Sequence, residues 1–148
     1  MSLLARLNLP PVWLVGFIAL AWAIAQPWAP LGAVFGWLGW GLVGAAVAVF
    51  VWAATEFRRA GTTIVPGEAP SALVETGPYR YSRNPIYLAD LVVLAGVALI
   101  FRSPLGLLLI FPFQQVLLRL FILREEAVLE HDLGQPYRDF KARVPRWA

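Results

Sequence analysis

The chain has 148 residues, of which 59% are hydrophobic and only 14% are charged. Ordinary soluble domains contain about 45–50% apolar and about 25% charged residues, and a chain of this length has too little interior to bury such an excess. The composition therefore argues against a soluble globule and a disordered chain. The absence of cysteine excludes disulfide scaffolds and thiolate metal sites, and the single histidine excludes a multi-histidine centre, so we expect no metal.

Four apolar runs reach or approach the length of about 20 residues that a membrane-spanning helix needs. No charged residue occurs from Leu7 to Thr55, and the proline-containing stretch Gln26–Pro30 divides this run in two. The sequence therefore predicts one membrane domain, 1–148, an all-α integral membrane bundle of about four transmembrane helices with a cytoplasmic C-terminal helix or tail. The predicted spans are 11–25, 31–54, 86–101 and 104–123.

The first two spans carry further signals. Arg6, the apolar stretch after it and the small residues Ala23–Ala25 also resemble a signal peptide with its cleavage site, which is an alternative interpretation of the N-terminus. The second span is rich in glycine, and small residues four apart permit close packing of membrane helices. The glycines expected at helix contacts are Gly32, Gly36, Gly39 and Gly44.

Basic residues are concentrated at alternate ends of the predicted spans. Arg6 precedes the first span, the basic residues of 56–85 and 124–147 follow the second and fourth, and only Arg102 lies at the other end. The positive-inside rule then places both termini and the 56–85 loop in the cytoplasm, for an integral protein of a bacterial inner membrane. Juxtamembrane arginines explain the basic charge better than a nucleic-acid groove does, so we expect membrane lipids and no nucleic acid as partners.

The first polar segment, Gly77–Tyr87, reads GPYRYSRNPIY. Asn84 suits a helix N-cap and Pro85 suits the first helical position, so the third span is predicted to begin there. The free N–H groups of this helix start, together with Arg80 and Arg83, would form a local anion site. The alternative is a capped helix start whose arginines extend to the membrane surface without binding a ligand.

The second polar segment, Arg124–Trp147, follows the fourth span, and polar residues also occur within that span. Gln115 and Arg119 interrupt the apolar run and share a helix face, and a charge within a membrane segment indicates a functional site by default. In a continuous helix, Glu126 lies about two turns beyond Arg119 on the same side, with Glu125 nearby. The alternative is that Arg119 reaches the cytoplasmic interface and simply pairs with a glutamate.

The C-terminal residues include an isolated histidine and a tail of basic and aromatic residues. His131 stands between Glu130 and Asp132, and we interpret it as exposed and not as a general base. The tail 136–147 alternates basic and aromatic residues, which is typical of a segment on an anionic leaflet or of a lid over a site. Because both polar segments are predicted on the cytoplasmic face, they can meet in one composite site.

The two polar segments together resemble the isoprenylcysteine carboxyl methyltransferase family and the related phospholipid N-methyltransferases. The resemblance covers about half the chain, from Gly77 to Trp147, and its two motifs occur in the family's order. The first is GPYRYSRNPIY, in which Asn84 stands where the family usually has histidine, and asparagine can still donate and accept hydrogen bonds. The second consists of Arg119, Glu125, Glu126, Gly134, Tyr137, Val144, Pro145 and Arg146.

The resemblance implies an integral-membrane methyltransferase that uses S-adenosylmethionine, with cofactor-binding segments at 77–87 and 119–147. It implies that Glu125 or Glu126 closes the cofactor site, and that Arg119 and Glu125 are the catalytic residues on the methyl-acceptor side. The cofactor-binding residues implied are Tyr79, Arg83, Asn84, Pro85, Tyr87, Glu125 and Glu126.

The expected acceptor is a lipid or an isoprenylated molecule that enters from the membrane. If it is a carboxylate, Arg119 could orient it, and if it is an amine, Glu125 or Asp90 could take its proton. Thiol acceptors also stay open, as does a phospholipid N-methyltransferase. The competing hypothesis is a non-catalytic membrane scaffold or lipid-binding module, which the short chain and the glycine-rich second span would suit.

Overall fold

The computed structural model describes residues 9–25, 31–62 and 72–148, and every regular element in these ranges is helical. The predicted all-α class is therefore confirmed. Two stretches, Ala33–Arg59 and Pro104–Leu133, are long and apolar enough to cross a membrane. The predicted turn at Gln26–Pro30 lies outside the described residues, and the total of four spans and the cytoplasmic tail stay predictions.

Prolines begin several of the helices, because their fixed φ suits the first turn and their missing N–H costs nothing there. The helices α1 and α3 have 14 and 16 residues, so both are shorter than a full membrane crossing. The elements are α1 (Pro10–Ala23), α2 (Ala33–Arg59), a 3₁₀ turn (Gly77–Arg80), α3 (Pro85–Ile100), α4 (Pro104–Leu108), α5 (Ile110–Leu117), a π-helical turn (Leu118–Ile122), α6 (Leu123–Leu133) and α7 (Gln135–Arg143).

The chain forms two compact units. The first consists of Met1–Ala46 and Asp90–Leu117, and within it the rings of Phe17 and Phe113 pack with their centroids 4.9 Å apart. The second consists of Val47–Ala89 and Leu118–Ala148, so it contains both polar segments.

Helices α2 and α3 approach closely inside the first unit, at Gly39 and Gly96. A Cβ atom added to Gly39 would lie 2.9 Å from Ile100 Cγ1 and would collide with the Gly96 carbonyl oxygen. At the other predicted contact glycines, Gly32, Gly36 and Gly44, no atom of the described residues lies within 4 Å of an added Cβ. The prediction of close packing is thus confirmed at Gly39, and its partner is Gly96 of α3, where no contact glycine was predicted.

We expect Gly39→Val to destabilise the protein by about 1–3 kcal/mol, since a side chain forced into a packed contact shifts the backbone. Gly36→Val is the matched control, because it makes the same change in the same helix at an open position. Thermal unfolding of both variants in the same detergent measures the difference. Equal unfolding midpoints would contradict the assigned helix contact.

A hydrophobic core holds the second unit together. Helix α7 contributes Tyr137 and Phe140, which pack with Tyr79 of the 3₁₀ turn. The ring of Phe57 meets that of Tyr79 edge to face at 5.4 Å. This packing fixes the start of α3 and the residues that follow α7 relative to one another. The buried core residues are Ala53, Val74, Tyr79, Tyr137, Phe140 and Val144.

Candidate functional site

Helix α3 begins at Pro85, as the sequence predicts. The carbonyl of Asn84 accepts the first helical bond from Leu88 N at 3.0 Å, and the Asn84 N–H donates to Ser82 Oγ at 3.1 Å. Ser82 is 2% exposed, so its hydroxyl is an internal support for the turn. The Asn84 side-chain amide donates to the carbonyl of Arg146 at 3.2 Å. Asn84 is therefore engaged with the C-terminal residues.

The two polar segments meet at Tyr87 and Glu125. The Tyr87 hydroxyl donates to Glu125 Oε1 at 2.6 Å across a separation of 38 residues. The Tyr87 ring also stacks on that of Phe121, with 6.4 Å between the centroids. A short hydrogen bond to a carboxylate is among the stronger ones in proteins, so the contact holds Glu125 in a defined orientation.

Beside this contact lies an arginine cluster, which we define as Arg83, Glu126 and Arg146. Arg146 binds Glu126 through two parallel bonds, from Nε to Oε1 at 2.9 Å and from Nη2 to Oε2 at 2.7 Å. Arg83 Nη1 lies 3.1 Å from the same Oε1. The side chains of Arg83 and Glu126 are only 9% and 8% exposed. Two guanidinium groups share one carboxylate, so the cluster has one excess positive charge.

One atom of the cluster has no partner. Arg83 Nε is buried and makes no hydrogen bond within the described part of the chain. Burying a charged donor without an acceptor is costly, so this position favours a bound acceptor with negative charge. Arg83 Nη1 also lies 3.5 Å from the hydroxyl of Tyr137, and Tyr137 belongs to the hydrophobic core of the second unit.

The two neighbouring glutamates thus have different environments. Glu126 is surrounded by two arginines, whereas Glu125 faces a tyrosine hydroxyl and forms no ion pair among the described residues. Burial raises the pKa of Tyr79, and the negative charge of the nearby Glu125 raises it further. Tyr79 therefore remains a neutral hydroxyl beside the site.

Arg119 lies apart from these contacts. It is exposed in the π-helical turn and forms no ion pair within the residues that the structure describes, while Glu126 is buried. The predicted alignment of Arg119 with Glu126 is therefore wrong. The physical reason is the π-helical turn, which adds a residue to the helical repeat and rotates the following side chains by about 100°.

Two open grooves lie elsewhere. One of about 570 Å³ borders the buried Glu56, which accepts hydrogen bonds from Thr76 and Arg59. The other, of about 300 Å³, runs along α1 and is lined by apolar side chains around Gly16. Neither includes Tyr87 or Glu125. Among the described residues, no group of three or more acidic or histidine side chains could hold a metal ion.

Three residues that make hydrogen bonds at this site were not predicted individually from the sequence. Tyr137 and Arg146 were noted only as motif residues, and Ser82 was not singled out. The motif positions themselves were the available signal for Tyr137 and Arg146. Nothing in the local pattern distinguishes Ser82, because its role depends on contact with residues more than 60 positions away.

Comparison with known proteins gives one match. No curated protein and no solved structure matches the chain. The family model described as phospholipid methyltransferase matches residues 34–135, about two thirds of the chain, including the turn before α3 and both glutamates. This family includes the isoprenylcysteine and phospholipid methyltransferases, so the resemblance seen in the sequence is confirmed. The chain belongs to the phospholipid methyltransferase family.

Proposed function

We propose that the protein is a membrane methyltransferase that transfers a methyl group from S-adenosylmethionine to a lipid acceptor. The family supplies the coarser statement, a membrane methyltransferase that acts on lipids. The observation that carries the proposal is the Tyr87–Glu125 hydrogen bond, which joins the two polar segments next to the arginine cluster. The buried Arg83 Nε, which has no acceptor among the described residues, adds support because such a donor favours an anionic ligand.

The residues present fit the cofactor. Its carboxylate suits the excess positive charge of the arginine cluster, and the buried Arg83 Nε supplies an unused donor. The N–H groups at the start of α3, a helix of 16 residues, add a positive dipole end to the same region. We assign Tyr79, Arg83, Pro85 and Tyr87 to the cofactor side, with Asn84 and Glu126 acting through their neighbours.

S-adenosylmethionine, when bound, supplies a methyl group on a positively charged sulfonium. The protein's own contribution is to align the acceptor and to exclude water. Glu125 can take a proton from an amine, and the Tyr87 hydroxyl fixes the direction of its carboxylate. A carboxylate acceptor would meet like charge at Glu125, so the geometry favours a lipid amine, as in a phospholipid N-methyltransferase.

The isoprenylcysteine-type carboxylate is the second candidate, and Arg119 is the observation that favours it. Its exposed guanidinium forms no ion pair in the described ranges and is available to an anionic group in the lipid. We therefore keep Arg119 as a proposed acceptor-side residue. The two candidates differ in the atom that receives the methyl group.

The test is binding followed by turnover in detergent. We expect isothermal titration to detect S-adenosylhomocysteine binding to the folded protein. Incubation with methyl-labelled cofactor and either phosphatidylethanolamine or a prenylated cysteine, followed by mass spectrometry, identifies the acceptor. Label in the amine lipid supports the first candidate, and label in the prenylcysteine ester supports the second. Folded protein that binds no S-adenosylhomocysteine contradicts both.

A further inference from the structure

Residues near the C-terminal end of the chain are hydrogen-bonded to the turn before α3. We call Val144–Arg146 the clasp. Arg83 N–H donates to the Pro145 carbonyl at 2.9 Å, and the Ser82 hydroxyl donates to the Arg146 carbonyl at 3.0 Å. The Asn84 amide reaches that same carbonyl at 3.2 Å. Three consecutive residues of the turn therefore bind two residues of the clasp.

The clasp is anchored at its base by packing. Val144 is 8% exposed and belongs to the core with Tyr137 and Phe140, and its N–H donates to the Phe140 carbonyl at 2.9 Å. Arg146 at the other end reaches α6 and binds both oxygens of Glu126. The hydrogen bonds of the clasp therefore connect the turn before α3 to Glu126 of α6.

The contacts of Glu126 leave Arg83 Nε without a carboxylate partner. Arg146 binds both carboxylate oxygens through Nε and Nη2, whereas Arg83 contacts only Oε1, through Nη1. An arginine next to an unoccupied carboxylate commonly binds it with two parallel N–H bonds. Without Arg146, Oε2 would be available, and Arg83 could turn its Nε–H onto Glu126. The Arg83 Nε–H group would then donate to Glu126 and would no longer be available to a ligand.

We propose that Arg146 is a positioning residue that keeps Arg83 Nε available for the anionic group of the cofactor, and that Asn84 acts by holding the clasp. This inference rests on the proposed function for the identity of the ligand. The Asn84 amide acts on the clasp through its bond to the Arg146 carbonyl.

The first test compares Arg146→Ala with Arg143→Ala. Arg143 is the matched control because its ion pair with Glu75 lies at the surface, with 63% of the arginine side chain exposed. We expect Arg146→Ala to raise the dissociation constant of S-adenosylhomocysteine about 10- to 100-fold, the loss that follows from one charged hydrogen bond. The KM for the cofactor should rise with kcat retained, Arg146→Lys should recover part of the affinity, and Arg143→Ala should bind as the wild type does.

The second test does not need the cofactor. The Arg83 Nε–H resonance, assigned by its loss in Arg83→Lys, reports whether this proton has an acceptor. We expect it to shift downfield in Arg146→Ala, because Glu126 becomes its acceptor, and to stay in place in Arg143→Ala. An unchanged resonance in folded Arg146→Ala overturns the proposal, even if the wild type binds no S-adenosylhomocysteine and the proposed function itself has failed.

Asn84→Asp is the second variant, should Arg146→Ala fail to fold. The change keeps size and helix-capping ability but replaces the amide donor with an oxygen facing the Arg146 carbonyl. We expect the same downfield shift and weaker binding. Weaker binding with an unchanged Arg83 resonance would instead indicate a direct Asn84–cofactor contact and would overturn the role assigned to Asn84.

Discussion

Glu125→Gln is expected to lower the rate of methyl transfer to a lipid amine by about 10²–10⁴-fold, the usual contribution of a positioned general base. The substitution keeps the shape of the side chain and can still accept the Tyr87 hydroxyl bond. It removes the negative charge that would take the proton from the acceptor. Because Glu125 is outside the arginine cluster, the variant should unfold close to the wild-type temperature. Initial rates with methyl-labelled cofactor and phosphatidylethanolamine measure the effect.

Glu130→Gln is the matched control for this prediction. It makes the same chemical change in the same helix, α6, at a surface ion pair with Lys141 whose side chains are 41% and 37% exposed. Surface pairs of this kind contribute little, so activity and stability should both be retained. Wild-type turnover in Glu125→Gln would remove Glu125 from the proton-transfer step. A large loss in Glu130→Gln would show that the effect is not specific to the site.

The start of α3 was predictable because its chemistry is local. Asn84 followed by Pro85 is enough to end an irregular segment and begin a helix, and the structure begins α3 at Pro85. The contact between the two polar segments was also predicted. The first segment leads into the third span and the second follows the fourth, and both of these span ends were placed at the same membrane face. The Tyr87–Glu125 bond provides the contact that the prediction required, although the membrane face itself is still a prediction.

Two features of the site could not be read from the sequence. The π-helical turn at Leu118–Ile122 has no composition signal, since its apolar residues fit an α-helix equally well, yet it separates Arg119 from Glu126. The clasp depends on bonds between positions more than 60 apart, and a pattern of basic and aromatic residues predicts an amphipathic tail equally well. The clasp arises from tertiary contacts, which periodicity does not encode.

Glu126→Gln is expected to destabilise the protein by about 3–5 kcal/mol, the usual cost of removing one partner from a buried ion pair. Both Arg83 and Arg146 would lose the carboxylate they share, and two positive charges would face each other without compensation. Glu125→Gln is the comparison variant, since it changes the adjacent residue in the same way without breaking an ion pair. Thermal unfolding in detergent measures both, and equal midpoints would contradict the structural role of Glu126.

A triple substitution then separates stability from binding. Replacing a buried ionic cluster as a whole with apolar residues of similar size is often neutral or stabilising, because no charge is left without a partner. Arg83→Met combined with Glu126→Leu and Arg146→Met should therefore recover much of the stability lost in Glu126→Gln. It should still fail to bind S-adenosylhomocysteine, since the excess positive charge and the Arg83 Nε donor are both gone. Binding by a stable triple variant would show that the cluster serves the fold alone.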